Sequence, residues 1–325
     1  MSSLLPNCNG YYLKPISMRK NIIRILSWGG LGDVLLSTAA IRALKEQNSN
    51  CKLIVYYSTK QHREIYLNNP HIDELRSTSL YTRPLEYVRY CLGKIRFRHY
   101  NYGTLLPSLY YRKNAMDIIA EMLGVKLKHR QLQIFLTPAE DKQAKAILSA
   151  YKNPIILHTT PTFSKNKEWE HHNWEKLVEE MPDHTFIQLG LANEEKVKGA
   201  VDLRGTTTFR QATALVKHAM SFVGVDSGLA HSTNAFGIRG VVLFGPSNPH
   251  IWGHDNNINM YKPPRCSPCI DLLGGSKCPY GLLCMKAITV AEVKNALLEQ
   301  LNTPGELLKI QNRKYELQFE GRAPV

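Results

Sequence analysis

Two aspartates occupy matching local settings, and both could do chemistry. Asp33 lies in SWGGLGDVLLSTAAIRALKE (27–46), after the apolar run NIIRIL, and Asp226 lies in VGVDSGLAHSTNAFG (223–237). In each, a strand pattern meets glycine and opens a helical pattern. The first stretch fails as a dinucleotide fingerprint. Counting from Gly30, the third glycine position is Leu35, and the second strand ends Tyr-Ser-Thr-Lys, with no acid. No Gly-Lys-Ser/Thr follows, which excludes a Walker loop, and Asp33 would repel a phosphate. Two readings stay open for it: a helix N-cap, or a general base at the carboxyl edge of a sheet. Gly29, Gly30 and Gly32 would let another molecule approach the backbone.

The second stretch carries the opposite chemistry. Backbone N–H groups at the helix start make an anion site, and His231 can donate to a phosphate oxygen. The plainer alternative is that Asp226 or Ser227 caps the helix and His231 is a satisfied core histidine. Lys167, two residues before Trp169 in KNKEWEHHNW (165–174), brings a point charge suited to a pyrophosphate. Thr159 and Thr160, after the PIILH run, add hydroxyl donors. Cys266, Cys269, Cys278 and Cys284 follow a C-x2-C-x8-C-x5-C spacing, which suits a structural zinc or iron closed by four thiolates. A reduced loop without metal is the alternative.

These groups need a scaffold, and the chain supplies two alternations of strand and helix. Strands are expected at 22–27, 52–57 and near 132–136, with helices at 34–47, 60–67, 84–96 and 114–123. At 137–140, TPAE reads as a capping box opening a helix that runs to Tyr151 and bridges two halves. Beyond it, strands at 154–158, 185–190, 221–225 and 240–245 alternate with helices at 171–181, 208–219 and 228–236. A last helix opens at Thr289. Interleaved strands and helices imply parallel sheets covered on both faces, in two Rossmann-like domains facing a central cleft. The expected division is 1–137, a bridging helix at 138–152, a second domain at 153–305 holding the cysteine loop 266–284, and a tail at 306–325 of unreadable structure.

Composition narrows the partners. The chain has 325 residues, 43% apolar and 21% charged, and a net charge of +14. Residues 1–137 carry 20 Lys+Arg against 8 Asp+Glu, whereas the remainder carries 21 against 19. The excess therefore belongs to the first half, which points to an anionic partner there, or to a merely solubilising surface. Residues 81–103 interleave aromatics with Arg and Lys, a composition that suits nucleic acid, a membrane surface or an acidic glycan. No recognised nucleic-acid module accompanies it, which counts against nucleic acid. No membrane-spanning run or signal-peptide core is read, and seven scattered and clustered cysteines do not form a secreted disulfide framework, so a cytoplasmic chain is expected.

GGLGDVLLSTAAIRAL, K-x-W and VDSGLAH…LFGPSNP, in that order over about residues 22–300, resemble the family 9 glycosyltransferases, the bacterial heptosyltransferases. The CSPC…CPYGLLCM segment is similar to a cysteine-bearing loop of that family. The resemblance implies a GT-B fold, with the acceptor on the first domain and the nucleotide-sugar on the second. It implies inverting transfer of heptose from an ADP-heptose donor, with no divalent ion required. Asp33 then matches the family's base, Lys167 its phosphate-contacting lysine, and Asp226, Ser227, Gly228, Leu229 and His231 its donor-binding segment. Gln188 and Gly190 are further candidates for the nucleotide pocket. The implied acceptor is an anionic glycolipid, the lipopolysaccharide inner core, reached at the cytoplasmic face of the inner membrane. Some related enzymes modify protein and carry a four-cysteine iron site, so a polypeptide acceptor stays open, as does another nucleotide-sugar. From another class, a non-catalytic protein binding anionic glycan or nucleic acid is the rival. Ser37-Thr38-Ala39 and EWEHHNW depart from the family's prolines, which leaves the subfamily open.

Overall fold

The computed structural model describes residues 21–78, 84–100, 113–269 and 276–302. The tail at 306–325 and parts of the basic stretch 81–103 lie outside them. The first sheet is built from β1 (Ile22–Leu26), β2 (Lys52–Tyr57), β3 (Glu74–Ser77) and β4 (Arg98–His99). All its pairings are parallel, in the order β3-β2-β1-β4, with Ile23 beside Leu53 and Leu26 beside His99. Its helices are α1 (Leu31–Gln47), α2 (Lys60–Tyr66), α3 (Pro84–Cys91) and α4 (Ala115–Met122). α1 is buried along most of its length, between the sheet, α4 and the other half of the molecule.

Helix α5 (Pro138–Leu148) begins as its sequence predicts. Thr137 Oγ1 accepts from the Glu140 N–H, and Glu140 Oε2 accepts in return from the Thr137 N–H at 2.7 Å. The helix ends at Leu148, and its Ala144 and Leu148 join the core of the second half.

The second sheet contains β5 (Pro154–His158), β6 (Thr185–Gln188), β7 (Val201–Asp202), β8 (Ser221–Val225), β9 (Gly240–Phe244) and β10 (Asn257–Tyr261). They too pair in parallel, in the order β10-β9-β8-β5-β6-β7. Helices α6 (His171–Glu179), α7 (Phe209–His218), α8 (Gly228–Phe236), α9 (Pro249–Trp252), α10 (Leu283–Lys286) and α11 (Val290–Asn302) cover its faces. β5 and β8 are buried nearly throughout, as strands packed on both faces must be. In each sheet the strand order reverses once, between β1 and β4 and between β5 and β8. Such switch points are where open parallel sheets bind ligands.

The strand expected near 132–136 is not formed. Leu132 and Ile134 are buried, which gives the segment its alternating pattern, yet its N–H groups pair with side chains. Leu132 N–H donates to Asn234 Oδ1 at 2.8 Å and Gln133 N–H to Thr38 Oγ1 at 2.9 Å. The segment is an extended strap across the two halves. Arg210 tightens the same seam: its guanidinium donates to both Glu140 oxygens, to the Phe135 carbonyl and to the Glu64 carbonyl.

Candidate active site

The site lies where the N-termini of α1 and α8 meet. Gly29 has φ +91°, and a Cβ there would sit 2.5 Å from Asp33 Oδ2, so the turn is closed to other residues. Gly30 is the N-cap of α1, and Asp33 is the third residue of its first turn. This corrects the N-cap reading: Asp33 accepts the Gly30 N–H at 2.7 Å from inside the helix. The carboxyl stands half-buried at the cleft wall. Burial raises it to about 6, against the lowering effects of the Gly30 N–H and the Lys167 charge.

Across the cleft, Asp226 follows β8 and is buried. Its Oδ2 accepts from Lys167 Nζ at 2.7 Å and from Ser247 Oγ at 2.7 Å. Burial alone would push this carboxyl up; the Lys167 ammonium, with His231 and Ser247, holds it below the usual carboxylate range. Ser227 caps α8, its Oγ accepting from the Ala230 N–H and bonding His158 Nδ1 at 3.2 Å. The N–H groups of Gly228 and Leu229 have no acceptor among the described residues. His231 is buried and driven down to about 4, chiefly by burial. The two halves touch here, since a Cβ on Gly32 would lie 3.0 Å from His231 Cδ2 and one on Gly228 would lie 3.2 Å from the Gly32 nitrogen. Of the three glycines expected to admit another molecule, Gly32 faces the second domain, while Gly29 and Gly30 lie against the Asp33 side chain.

The lysine loop is a 3-10 turn, Lys165–Lys167, capped by Ser164. Trp169 is structural: its Nε1 donates to the Ile288 carbonyl, and it meets Trp174 edge-on. Thr159 is buried, and its hydroxyl lies 3.3 Å from that of Thr160, at the end of β5 and so on the same sheet edge. Gln188 is fully spent inside the domain, donating to the Glu195 carbonyl and accepting from the Val197 N–H. Gly190 packs against the Glu194 side chain.

The four cysteines are unpaired. They lie near one another, and Cys278 and Cys266 add to the burial that raises the Cys284 thiol. Among the described residues, however, no three His, Cys, Asp or Glu converge as a metal-holding group. The loop instead supports the site through the chain. Cys278 N–H and the Ser276 carbonyl bond Asn166, beside Lys167, and Ser267 Oγ donates to the Gly245 carbonyl, two residues before Ser247. Sequence reasoning did not single out Ser247, His158, His254 or Arg210. Ser247 lies in the GPSNP motif, which was the one signal that could have exposed it.

Comparison with known proteins bears on the fold and the family. Residues 112–271 match the model of glycosyltransferase family 9 (heptosyltransferase). A lipooligosaccharide heptosyltransferase 2 of Campylobacter jejuni is 24% identical over 88% of this chain and all of its own length. The Escherichia coli ADP-heptose lipopolysaccharide heptosyltransferase II has the same fold, with TM-score 0.62, 16% identity and coverage of 90% and 99% of the two chains. The iron-containing dodecameric glycosyltransferase TibC of enterotoxigenic E. coli gives TM-score 0.67 at 16% identity, covering 86% of this chain and 76% of its own. The paired parallel sheets match the GT-B fold of heptosyltransferase structures, and residues 112–271 make this chain similar to glycosyltransferase family 9.

Proposed function

We propose that this protein transfers heptose from ADP-heptose to an anionic acceptor, with inversion at the anomeric carbon. The observation that carries the reading is the meeting of Asp33 from one domain with Lys167, Asp226 and His231 from the other. Inversion in one displacement needs a base for the acceptor hydroxyl on the face opposite the leaving group. Asp33 takes that proton as the hydroxyl oxygen attacks the anomeric carbon and the bond to the diphosphate breaks. A carboxyl raised to about 6 is ionised at neutral pH yet basic enough to accept the proton. The departing ADP gains charge, which Lys167, His231 and the first-turn amides of α8 stabilise. That positive field serves in place of a divalent ion.

The basic first half favours a phosphorylated, acidic acceptor, and the Campylobacter and E. coli relatives carry lipooligosaccharide and lipopolysaccharide in their names. We assign the lipopolysaccharide inner core on that basis, with contact at the membrane surface. Among the described residues no helix is long and apolar enough to cross a membrane. The test is ADP release from ADP-heptose with a heptose-deficient core acceptor, beside UDP- and GDP-sugars. Release that requires the core acceptor supports the reading. Turnover with a polypeptide alone moves the acceptor to protein, and turnover with another sugar nucleotide alone overturns the donor.

A further inference from the structure

His231 has a partner that the reaction so far does not use. Its Nδ1 lies 2.8 Å from Nε2 of His254, and the rings meet edge-on, 5.0 Å between centres. Both rings are buried. His254 follows α9 on the loop leading to β10, where Asn259 Nδ2 donates to its carbonyl. Two neutral imidazoles at this distance share one proton, so one ring donates and the other accepts. Burial lowers both rings, His231 to about 4 and His254 well below the ordinary histidine value. The charged groups bearing on them are Asp226 and Lys167 at His231, and Arg130 at His254.

Which ring donates decides what His231 shows the cleft. His254 Nδ1 has no hydrogen-bond partner among the described residues. If His231 donated, the proton of His254 would have to sit on that nitrogen, as a buried N–H without an acceptor, a costly and rare arrangement. If His254 donates, its Nδ1 stays bare, and the proton of His231 moves to Nε2. That nitrogen lies on the Gly32 side of the ring and has no partner among the described residues. The surroundings agree, for the open first turn of α8 and the Lys167 ammonium suit the site to an anion. A lone pair aimed into it would oppose the ligand, and an N–H would bind it.

We propose that His254 is a positioning residue: its Nε2–H donates to His231 Nδ1 and so fixes the His231 proton on Nε2, as a hydrogen-bond donor to an oxygen of the departing nucleoside diphosphate. This rests on the transfer reading of the cleft only for the identity of the acceptor oxygen. The tautomer belongs to the protein alone.

The test is nitrogen-15 NMR of histidine-labelled protein without substrate, with the His231 signals assigned by their loss in His231→Asn. The expected result is a protonated Nε2 and an unprotonated, hydrogen-bonded Nδ1 on His231. A proton on Nδ1 of His231 overturns the proposal, whatever the activity. Kinetics of ADP release then separates positioning from packing. His254→Leu should lower kcat about tenfold, with the KM for the sugar nucleotide changed less, as for loss of a group that orients a functional side chain. His254→Gln, whose amide can still donate, should recover most of the rate and keep the His231 tautomer. Equal loss in both variants, with the tautomer unchanged, reduces His254 to a packing residue and overturns the proposal. If the tautomer is as expected and no transfer is seen with any donor, the functional reading fails and the histidine pair stands.

Discussion

The loops after β1 and β8 are two versions of one device, a strand end, a glycine-containing turn and a helix whose first turn faces the cleft. They differ in where the carboxylate sits. In the first, Asp33 is inside the helix, its charge answered by the Gly30 N–H, the more distant Lys167 and its own N–H, and burial raises it to about 6. In the second, Asp226 precedes the helix, is tied to Lys167 and Ser247, and stays ionised below the usual range. That leaves the first-turn amides of α8 free for a ligand's charge. Environment alone separates two residues of one type: a raised carboxyl, which suits the proposed base, and an ionised one that anchors a cation.

Exchanging those environments should break the difference. The largest effect is expected at Asp33. Asp33→Ala should cut turnover about a thousandfold with ADP binding retained, measured by ADP release and thermal shift; retained turnover in a folded variant sinks the base assignment. Lys167→Ala should weaken ADP binding about tenfold to a hundredfold. It also leaves Asp226 buried and unpaired, at a cost of about 3 kcal/mol in denaturant unfolding. Unchanged ADP affinity would remove Lys167 from the donor side. Arg210→Ala should cost about 2 kcal/mol by unpairing Glu140 and two carbonyls, with ADP affinity little altered. Glu140 is held down to about 2 by Arg210. The stability it contributes is therefore present above the ordinary glutamate value and lost as pH falls toward 2, a loss the Arg210 variant should show only in the smaller part due to the Thr137 N–H and hydroxyl. The smallest effect is at Gly32→Ala. Its methyl would press on His231 at 3.0 Å, lowering turnover a few-fold (about 1 kcal/mol) with stability near that of the parent.

Much of this was legible along the chain because local chemistry sets it. β2, β5, β8 and α8 begin and end where their residues indicate, and the Thr137–Glu140, Thr208–Gln211 and Thr289–Glu292 pairs each open a helix. The misses have tertiary causes. β3 reads ELRS and β10 reads NINMY, too polar to announce strands, and β4 and β7 are two residues each. Residues 132–136 look like a strand because burial alternates there, yet Asn234 and Thr38, far away in sequence, replace the neighbouring strand. Gly32 against His231 and His231 against His254 are long-range contacts that no local pattern encodes. Asp33 shows the limit most plainly. Its sequence setting admits a cap or a base, and only the position of Lys167, committed to Asp226, separates the two carboxyls.

The pH dependence of kcat/KM for transfer from ADP-heptose tests the central claim most directly. A base must be deprotonated to act, and burial has raised this one. The rate should therefore climb about tenfold per pH unit up to about 6 and level off above it. A profile flat from pH 5 to 8, or an acidic limb at the ordinary carboxylate value near 4, would contradict the account.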